Sequence, residues 1–210
     1  RGIEKDDFLC KVTKAYMAIL GDGRGGVFCE NSLLKPCDWK STTQQSIHLG
    51  SFDVLLANPP FGKDIKVQGK DILEQFDLAH VWRSENGELV KTSKLESEKT
   101  IQILFVERCL ALLKDGGRMG LILPETYFHA PKMRYVFNYM VQGNNVQWVI
   151  DLPHNTFRPH NNAKCIVIII QKSRPQQKFI NMAVAEEIAG EFVDTIGVIP
   201  HNHKIRSSRR

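Results

Sequence analysis

The most constraining feature of this sequence is a series of short apolar runs, each about one β-strand long, separated by stretches of helical character. The clearest runs are residues 52–57, 119–123, 146–151 and 165–171. Residues 6–20 repeat apolar side chains at three- and four-residue steps, and helices are also predicted at 100–113 and 131–142. Strands that alternate with helices predict an α/β fold, with helices on both faces of a sheet.

Weaker signals fill the rest of the chain. A short strand is predicted at 27–29, after the glycines that end the first helix, and one more at 179–184. Residues 62–99 are polar, charged and without clear periodicity, and this segment far exceeds the usual connection of about 4 to 6 residues. We therefore expect a functional or disordered loop there. A turn is predicted at 114–117 and a basic, mobile tail at 201–210.

Composition narrows the class of protein. With 210 residues, 42% of them hydrophobic, the chain is large enough for the core of one domain. Its net charge of +5 suits an anionic partner such as nucleic acid. No apolar run approaches the roughly 20 residues that cross a bilayer, so we expect a soluble, cytoplasmic protein without membrane contact. The five cysteines lack a C-x-x-C spacing, which favours reduced core thiols and neither disulfides nor a metal site.

The most informative residues are Asn58, Pro59, Pro60 and Phe61, directly after the apolar strand at 52–57. Open α/β sheets bind ligands where their strands end. The prolines fix the backbone and remove two N–H donors, which leaves carbonyls to accept hydrogen bonds, and the Asn58 side chain adds another acceptor. An amino group held by two acceptors becomes nucleophilic toward an electrophilic methyl group. The ring of Phe61 offers a flat base a stacking surface.

Three segments together resemble the amino-methyltransferase family that modifies adenine in DNA: Phe52-Asp53-Val54-x-x-Ala57-Asn58-Pro59-Pro60-Phe61, Phe105-x-Glu107 onward to Gly116-Gly117-Arg118, and Leu123-Pro124. Within that family the chain is most similar to the modification subunit of type I restriction systems and to fused restriction-modification enzymes. The resemblance spans residues 2–172 and implies a Rossmann-like, S-adenosylmethionine-dependent methyltransferase sheet.

The resemblance also implies roles at the target base. Asn58 and the Pro59 carbonyl would hold the adenine amino group, while Pro60 would fix the loop. Phe61 would stack on the flipped base, and Phe157 would pack against it as a second aromatic residue. A simple strand-terminating turn is the alternative interpretation of these residues.

For the cofactor, S-adenosylmethionine, Glu4 matches the acidic residue that accepts the ribose hydroxyls. Asn31 or Glu30, with Ser32, would stand where the family often has an aspartate that contacts the amino group of the cofactor's adenine, and Asn31 would accept through its side-chain oxygen. Phe105 matches an aromatic residue beside that adenine. The alternatives are a surface glutamate at position 4 and an ordinary core phenylalanine at position 105.

One expected element is absent from the sequence. The glycine-rich turn that should precede Glu4 is missing, and residues 21–26 fit G-x-G-x-x-G only in the wrong context, after a helix and before a strand. Since the chain begins at Arg1, we expect an N-terminally truncated methyltransferase that lacks the first strand and binds cofactor poorly unless another chain completes it. The expected organisation is a partial catalytic domain at 1–172 and a C-terminal extension with a basic tail at 173–210.

The implied reaction is methyl transfer to the N6 amino group of adenine in DNA, without a metal, in a restriction-modification system. The expected partners are DNA, a specificity subunit or fused recognition domain, and a restriction subunit. Candidates for the phosphate backbone are Lys63, Lys66, Lys70 and Arg83, with a solvated charge run as the alternative. Residues His154, His160, Asn161 and Asn162 flank Phe157 without an assigned role. Two rival functions stay open: amino-methyl transfer to protein glutamine or RNA, and a non-catalytic DNA-binding or assembly fragment.

Overall fold

The structure, a computed structural model, describes residues 1–21, 25–62, 65–158, 162–175, 177–188 and 191–200. The tail predicted at 201–210 lies outside them. The helices are α1 (Asp7–Ile19), α2 (Ser41–Ser46), α3 (Lys70–Leu73), α4 (Ile101–Leu112), α5 (Thr126–His129) and α6 (Arg134–Val141). None of the helices in this described part is both long and apolar enough to cross a membrane.

The first six strands are β1 (Gly2–Glu4), β2 (Val27–Cys29), β3 (Phe52–Ala57), β4 (Lys66–Gln68), β5 (His80–Glu85) and β6 (Glu88–Leu95). The remaining strands are β7 (Glu98–Thr100), β8 (Leu113–Pro124), β9 (Asn145–Asp151), β10 (Cys165–Gln171), β11 (Phe179–Ile188) and β12 (Glu191–Pro200).

Six of the strands form one sheet in the order β12-β11-β9-β10-β8-β3. β3 is parallel to β8, and β10 is antiparallel to both β8 and β9, so β3, β8 and β9 point the same way. Their last residues therefore lie along one edge of the sheet, which we call the carboxyl edge. The predicted α/β class is confirmed, and ligands of such sheets bind at this edge.

The core forms where the apolar strands meet α4. In β10, Ile168 is completely buried and belongs to the same apolar cluster as Val106 of α4. In the same helix, Leu104 belongs to a second buried cluster, together with Phe76. α4 contributes to two clusters because its apolar residues lie nearly all round the helix instead of on one face.

Several predicted elements are confirmed. Asp6 caps α1, since its carboxylate accepts a hydrogen bond from the backbone N–H of Leu9 at 2.8 Å. β2, β3 and β10 have the predicted bounds. The strand predicted at 179–184 is part of β11, which pairs in parallel with β9. The main sheet thus continues beyond residue 172, where the sequence suggested that the catalytic domain ends.

The prediction of a loop without regular structure at 62–99 was wrong. β4 pairs with β7, and β5 and β6 form an antiparallel hairpin. These strands are polar because much of their length is exposed to solvent, which antiparallel pairs tolerate. The hairpin turn holds Asn86 and Gly87, whose φ angles of 52° and 87° suit the Asn-Gly sequence of tight hairpin turns. The turn predicted at 114–117 lies within β8, with Gly116 at a φ of 80°.

Two surfaces rich in apolar residues are exposed. β3 is an edge strand, and its residues Val54 and Leu56 are 64% and 82% exposed. α1 forms as predicted, but Phe8 and Ile19 on its apolar stripe are 71% and 81% exposed. Among the described strands, none pairs with the outer side of β3, and β1 and β2 pair only with each other.

The cysteines also differ from expectation. Cys10 of α1 and Cys29 of β2 form a disulfide, with 5.7 Å between their Cα atoms, so the prediction of reduced thiols was wrong for this pair. Cys109 and Cys165 are buried free thiols, as expected, whereas Cys37 is free and exposed. The disulfide joins neighbouring elements that the sequence could not place side by side.

Candidate functional site

The Asn58 loop lies where the sequence predicted it, directly after β3 at the carboxyl edge. Pro59 is buried, whereas Asn58 is exposed. Within the described part of the chain, the Asn58 side chain has no hydrogen-bond partner. Its oxygen is therefore available to a ligand, as is required of an acceptor for an amino group.

The structure brings together two residues that are far apart in the sequence. The ring centroids of Phe61 and Phe157 are 5.2 Å apart, and the rings are tilted by 46°. Both are partly exposed. Phe157 lies in the loop that follows β9, where Thr156 donates backbone and hydroxyl hydrogen bonds to the Pro153 carbonyl, at 3.1 and 2.7 Å. The two rings therefore pack against each other in a tilted pair, three residues along the chain from Asn58 on the Phe61 side.

An ion pair holds the ends of the Phe157 loop. Lys164, just before β10, places its Nζ 2.8 Å from Asp151 Oδ1 at the end of β9, and it donates a hydrogen bond to the Leu152 carbonyl at 2.6 Å. The Lys164 carbonyl accepts a hydrogen bond from the backbone of Glu125, after β8. Sequence reasoning missed this pair because its partners lie in separate segments.

Glu4 and Asn31 lie in adjacent turns. Glu4 ends β1, its carbonyl accepts a hydrogen bond from the Glu30 N–H at 2.9 Å, and its Oε1 accepts one from the Asp6 N–H at 2.8 Å. Asn31 Oδ1 accepts a hydrogen bond from the Leu33 N–H at 3.1 Å. Glu4 thus retains its second carboxylate oxygen for a ligand. The Asn31 oxygen, which the sequence predicted as an acceptor, already accepts the Leu33 N–H, so the group that Asn31 leaves without a partner among the described residues is its NH₂ donor.

Glu30, the alternative to Asn31, has a different environment. Its carboxylate accepts hydrogen bonds from the backbone N–H groups of Asn31, at 3.1 Å, and Lys40, at 2.7 Å, and it is nearly buried. Both oxygens thus hold the turn together. This geometry favours Asn31 over Glu30 as the residue that faces a ligand, with the partly exposed Ser32 beside it.

Phe105 connects this region with the Asn58 loop. It is half-buried and packs against the cluster that contains Leu33 as well as the one that includes Ala57 at the end of β3. The turn after β2 and the end of β3 thus approach the same helix. A free carboxylate oxygen, an amide and a partly exposed ring fit the ribose hydroxyls, base edge and base face of an adenosine group.

Arg108, a buried residue of α4 that the sequence analysis did not single out, joins that helix to the segment after β2. The Arg108 guanidinium donates a hydrogen bond to the Leu34 carbonyl at 3.0 Å and lies over the rings of Phe76 and Trp39, at 5.0 and 5.8 Å. Burial lowers the pKa of Arg108 to about 10. The pattern that points to it is a charged residue inside a nearly continuous apolar helix.

Of the four residues predicted to contact phosphates, the structure describes Lys66, Lys70 and Arg83. Lys63 lies outside the described residues, as do His160 and Asn161. Lys66 forms an ion pair with Glu98, and this contact holds the pKa of the Glu98 carboxyl below its usual range. Lys70 and Arg83 are exposed. In the described ranges, no group of three His, Cys, Asp or Glu side chains is placed to bind a metal ion.

Solved structures share this fold. The modification subunit of a type I restriction enzyme from Vibrio vulnificus matches 90% of this chain and 36% of its own, at 18% identity and a TM-score of 0.64. A class I S-adenosylmethionine-dependent methyltransferase from Listeria monocytogenes matches 87% of this chain and 48% of its own, at 17% identity and a TM-score of 0.61. The fold is therefore that of the class I S-adenosylmethionine-dependent methyltransferases.

Sequence comparison identifies the family within this class. Residues 27–157 match the model of the Eco57I restriction-modification methylase family, and the chain belongs to that family. A type II restriction enzyme and methyltransferase of Methanocaldococcus jannaschii is 24% identical over 139 residues, which are 66% of this chain and 10% of that protein. The chain thus spans a small part of that relative, and the resemblance to restriction-modification methyltransferases is confirmed.

Proposed function

We propose that this chain is the part of a restriction-modification methyltransferase that transfers the methyl group of S-adenosylmethionine to the N6 amino group of adenine in DNA. The observation that supports this most is the free Asn58 side chain at the carboxyl edge, next to the Phe61–Phe157 ring pair. The family supplies the reaction class, and the two acceptors and two rings suit a flat base with an exocyclic amino group.

The acceptors activate the nucleophile. The Asn58 oxygen and the Pro59 carbonyl would each accept one N–H of the adenine amino group. Amino lone pairs are normally delocalised into the base, and two acceptors placed out of its plane draw the lone pair out of conjugation. Pro60 contributes no N–H that would compete for these acceptors. The nitrogen then becomes nucleophilic without a covalent link to the protein.

The rings hold the base once it has left the duplex. A base inside a duplex is inaccessible to this loop, so it must be flipped out, which costs a few kcal/mol. Stacking on aromatic side chains contributes about 1 to 3 kcal/mol per base. Phe61 and Phe157, 5.2 Å apart, would offset that cost and orient the amino group toward Asn58.

The cofactor would be held by the residues around Phe105. When bound, S-adenosylmethionine supplies an electrophilic methyl group on its sulfonium centre. Glu4 would accept hydrogen bonds from the ribose hydroxyls, and Asn31 and Ser32 would contact the edge of the adenine, with Phe105 on its face. These residues position the cofactor, and positioning is where most of the rate enhancement of such a transfer arises.

Binding partners of the whole protein are part of the proposal. Lys63, Lys66, Lys70 and Arg83 would contact DNA phosphates, with Lys66 exchanging its Glu98 ion pair for a phosphate. A specificity subunit or fused domain would read the DNA sequence, a restriction subunit would join the assembly, and the complex would work in the cytoplasm. The solved modification subunit from Vibrio vulnificus, which shares the fold, belongs to a type I restriction enzyme.

The deciding experiment is transfer of labelled methyl from S-adenosylmethionine to DNA by the longest native form of the protein that contains this chain. Asn58→Ala should lower the rate by about 100-fold or more, the usual effect of removing a hydrogen bond made to the reacting group. Asn58→Asp retains an acceptor and is the matched control, expected to keep more activity than Asn58→Ala.

Parallel reactions with RNA and with protein substrates separate the rival functions. Label on N6 of adenine in DNA alone supports the proposal, whereas label on RNA or on a glutamine amide would redirect it to another amino group. DNA binding without transfer to any of these substrates would favour the non-catalytic binding or assembly function.

A further inference from the structure

A cavity outside the proposed catalytic site lies between the β5–β6 hairpin and the start of α6. Its volume is about 370 Å³, and its lining includes Trp82, Leu89, Lys132, Arg134 and Tyr135. The Trp82 and Tyr135 rings are 6.0 Å apart and tilted by 32°. The Trp82 indole N–H donates to the Asp77 carbonyl at 3.2 Å, which fixes the ring against the body of the protein.

The cavity is positively charged. Lys132 and Arg134 are exposed, and neither has an ion-pair or hydrogen-bond partner among the described residues. No acidic residue belongs to the lining. Behind the site, the Lys99 ammonium group lies 5.0 Å from the centre of the Tyr135 ring, but its charge is balanced by its ion pair with Glu96. Aromatic faces next to unpaired cations suit a group that combines a flat ring with a phosphate.

The position of the cavity relates it to the Asn58 loop. β8 and β9 are parallel, and α6 connects them, so the turn Pro131–Met133 and the first residue of α6 follow the carboxyl edge of the sheet. The Asn58 loop follows the same edge after β3. The segment that lines the cavity and the Asn58 loop thus both follow strands that end at this edge.

We propose that this cavity binds one nucleotide of a DNA strand outside the flipped base. The base stacks on Trp82 and Tyr135, and the phosphate lies between Lys132 and Arg134. This inference rests on the proposed function only in taking DNA as the ligand. Nucleic acid is favoured over an uncharged peptide because its phosphates would pair with Lys132 and Arg134, which an uncharged peptide would leave unpaired.

The test is DNA binding by the full chain, measured by fluorescence anisotropy with labelled single-stranded and duplex oligonucleotides over a range of salt concentrations. Lys132→Ala/Arg134→Ala should weaken binding by about tenfold. It should also lower the slope of log Kd against log salt concentration by about 1, because one phosphate contact is lost. The matched control is Arg174→Ala/Lys178→Ala, which removes the same charges from exposed positions beyond the opposite edge of the sheet.

A second pair of variants isolates the stacking. Trp82→Phe and Trp82→Leu both lose the hydrogen bond to Asp77, but only the phenylalanine retains a ring. Trp82→Leu should bind single-stranded DNA about tenfold more weakly than Trp82→Phe. Equal affinity of these two variants, or a salt dependence for Lys132→Ala/Arg134→Ala that equals that of the control, would overturn the inference.

DNA binding can be measured without methyl transfer, so the proposed function and the nucleotide site are tested independently. If the protein methylates no substrate yet binds DNA through Lys132, Arg134 and Trp82, the proposed function is wrong and the nucleotide site stands. If it methylates adenine and the cavity variants bind and methylate DNA like the wild type, the site is wrong and the function stands. Loss of a protein partner with unchanged DNA affinity also overturns the nucleotide site.

Discussion

Glu107 is a buried carboxylate whose environment makes stability depend on pH. It accepts hydrogen bonds from the backbone N–H groups of Asp77 and Leu78, both at 2.8 Å, and so ties α4 to the turn before β5. Burial is the largest influence on its pKa and raises it above the usual 4.5, against the effect of these hydrogen bonds. The folded protein therefore holds this proton to a higher pH than the unfolded chain does.

Stability from Glu107 is fully present below the ordinary pKa of about 4.5 and is lost as the pH rises through the raised value. Glu107→Gln cannot ionise, and it leaves one buried N–H without an acceptor, which costs about 1 to 3 kcal/mol. We expect the variant to be less stable at pH 4 to 5, with a deficit that shrinks toward pH 8.

Chemical denaturation of both proteins from pH 4 to 8 measures this difference, and other titrating groups cancel in it. A deficit that stays constant with pH would show that Glu107 has the same pKa in the folded and unfolded states. A deficit that grows with pH would mean that the hydrogen bonds outweigh burial and lower the pKa instead.

At the scale of single residues, the sequence predicted those candidate site residues that stand next to one another in one motif. Asn58 could be proposed from the sequence because the residues of its motif are contiguous. The sequence left Glu30 and Asn31 as alternatives, since the choice depends on the N–H of Lys40, which reaches Glu30 only in the folded chain. Arg108 was missed for the same reason, because its partners Leu34 and Trp39 come from a distant segment.

At the scale of elements, the Cys10–Cys29 disulfide is the main attachment of α1. Cys10 is the only residue of that helix that is buried. The disulfide spans a sequence separation of 19, and a loop of about this length contributes on the order of 3 kcal/mol through the unfolded chain. We therefore expect reduction to loosen α1 while leaving the six-stranded sheet intact.

Hydrogen exchange with and without a reductant tests this expectation. Protection of the α1 amides should fall on reduction, and that of β8 and β10 should not. Cys37→Ser is the control, since Cys37 is exposed and free, and the variant should respond to the reductant as the wild type does. Unchanged protection of α1, once mass spectrometry shows both thiols free, would mean that other contacts hold the helix.

Elements were predictable where apolar residues form an unbroken run or a helical repeat. β3 and β10 follow from apolar runs, and α1 follows from apolar spacing and the Asp6 cap. β4 to β7 could not be found by apolar pattern, because β6 is largely exposed and β7 is polar although its Lys99 is buried. The Asn86-Gly87 turn was nevertheless a visible hairpin signal. Periodicity also predicts that a helix has an apolar face without telling what covers that face, as the exposed stripe of α1 shows.

For the molecule as a whole, the exposed apolar surfaces on α1 and β3 predict self-association. Among the described strands, none pairs with the outer side of β3, and its Leu56 side chain is exposed, a combination that favours strand-to-strand contact between molecules. We expect Ile19→Lys/Leu56→Lys to reduce the concentration-dependent increase in apparent mass.

Light scattering after size exclusion, over a tenfold range of concentration, measures that increase. The matched control is Leu49→Lys, because Leu49 is also exposed but lies outside both surfaces. Equal effects of the control and the double variant would point to a general effect of added charge, and a wild-type chain that stays monomeric at all concentrations would contradict the prediction.

The sheet order has a consequence for how the protein is made. β10 lies between β8 and β9 but is synthesised after both of them. Until residue 171 has left the ribosome, β8 and β9 have no strand to pair with between them, and Phe157 has no fixed loop to hold it near Phe61. The Phe61–Phe157 ring pair therefore forms late, so a growing chain exposes the Asn58 loop well before the two rings can meet.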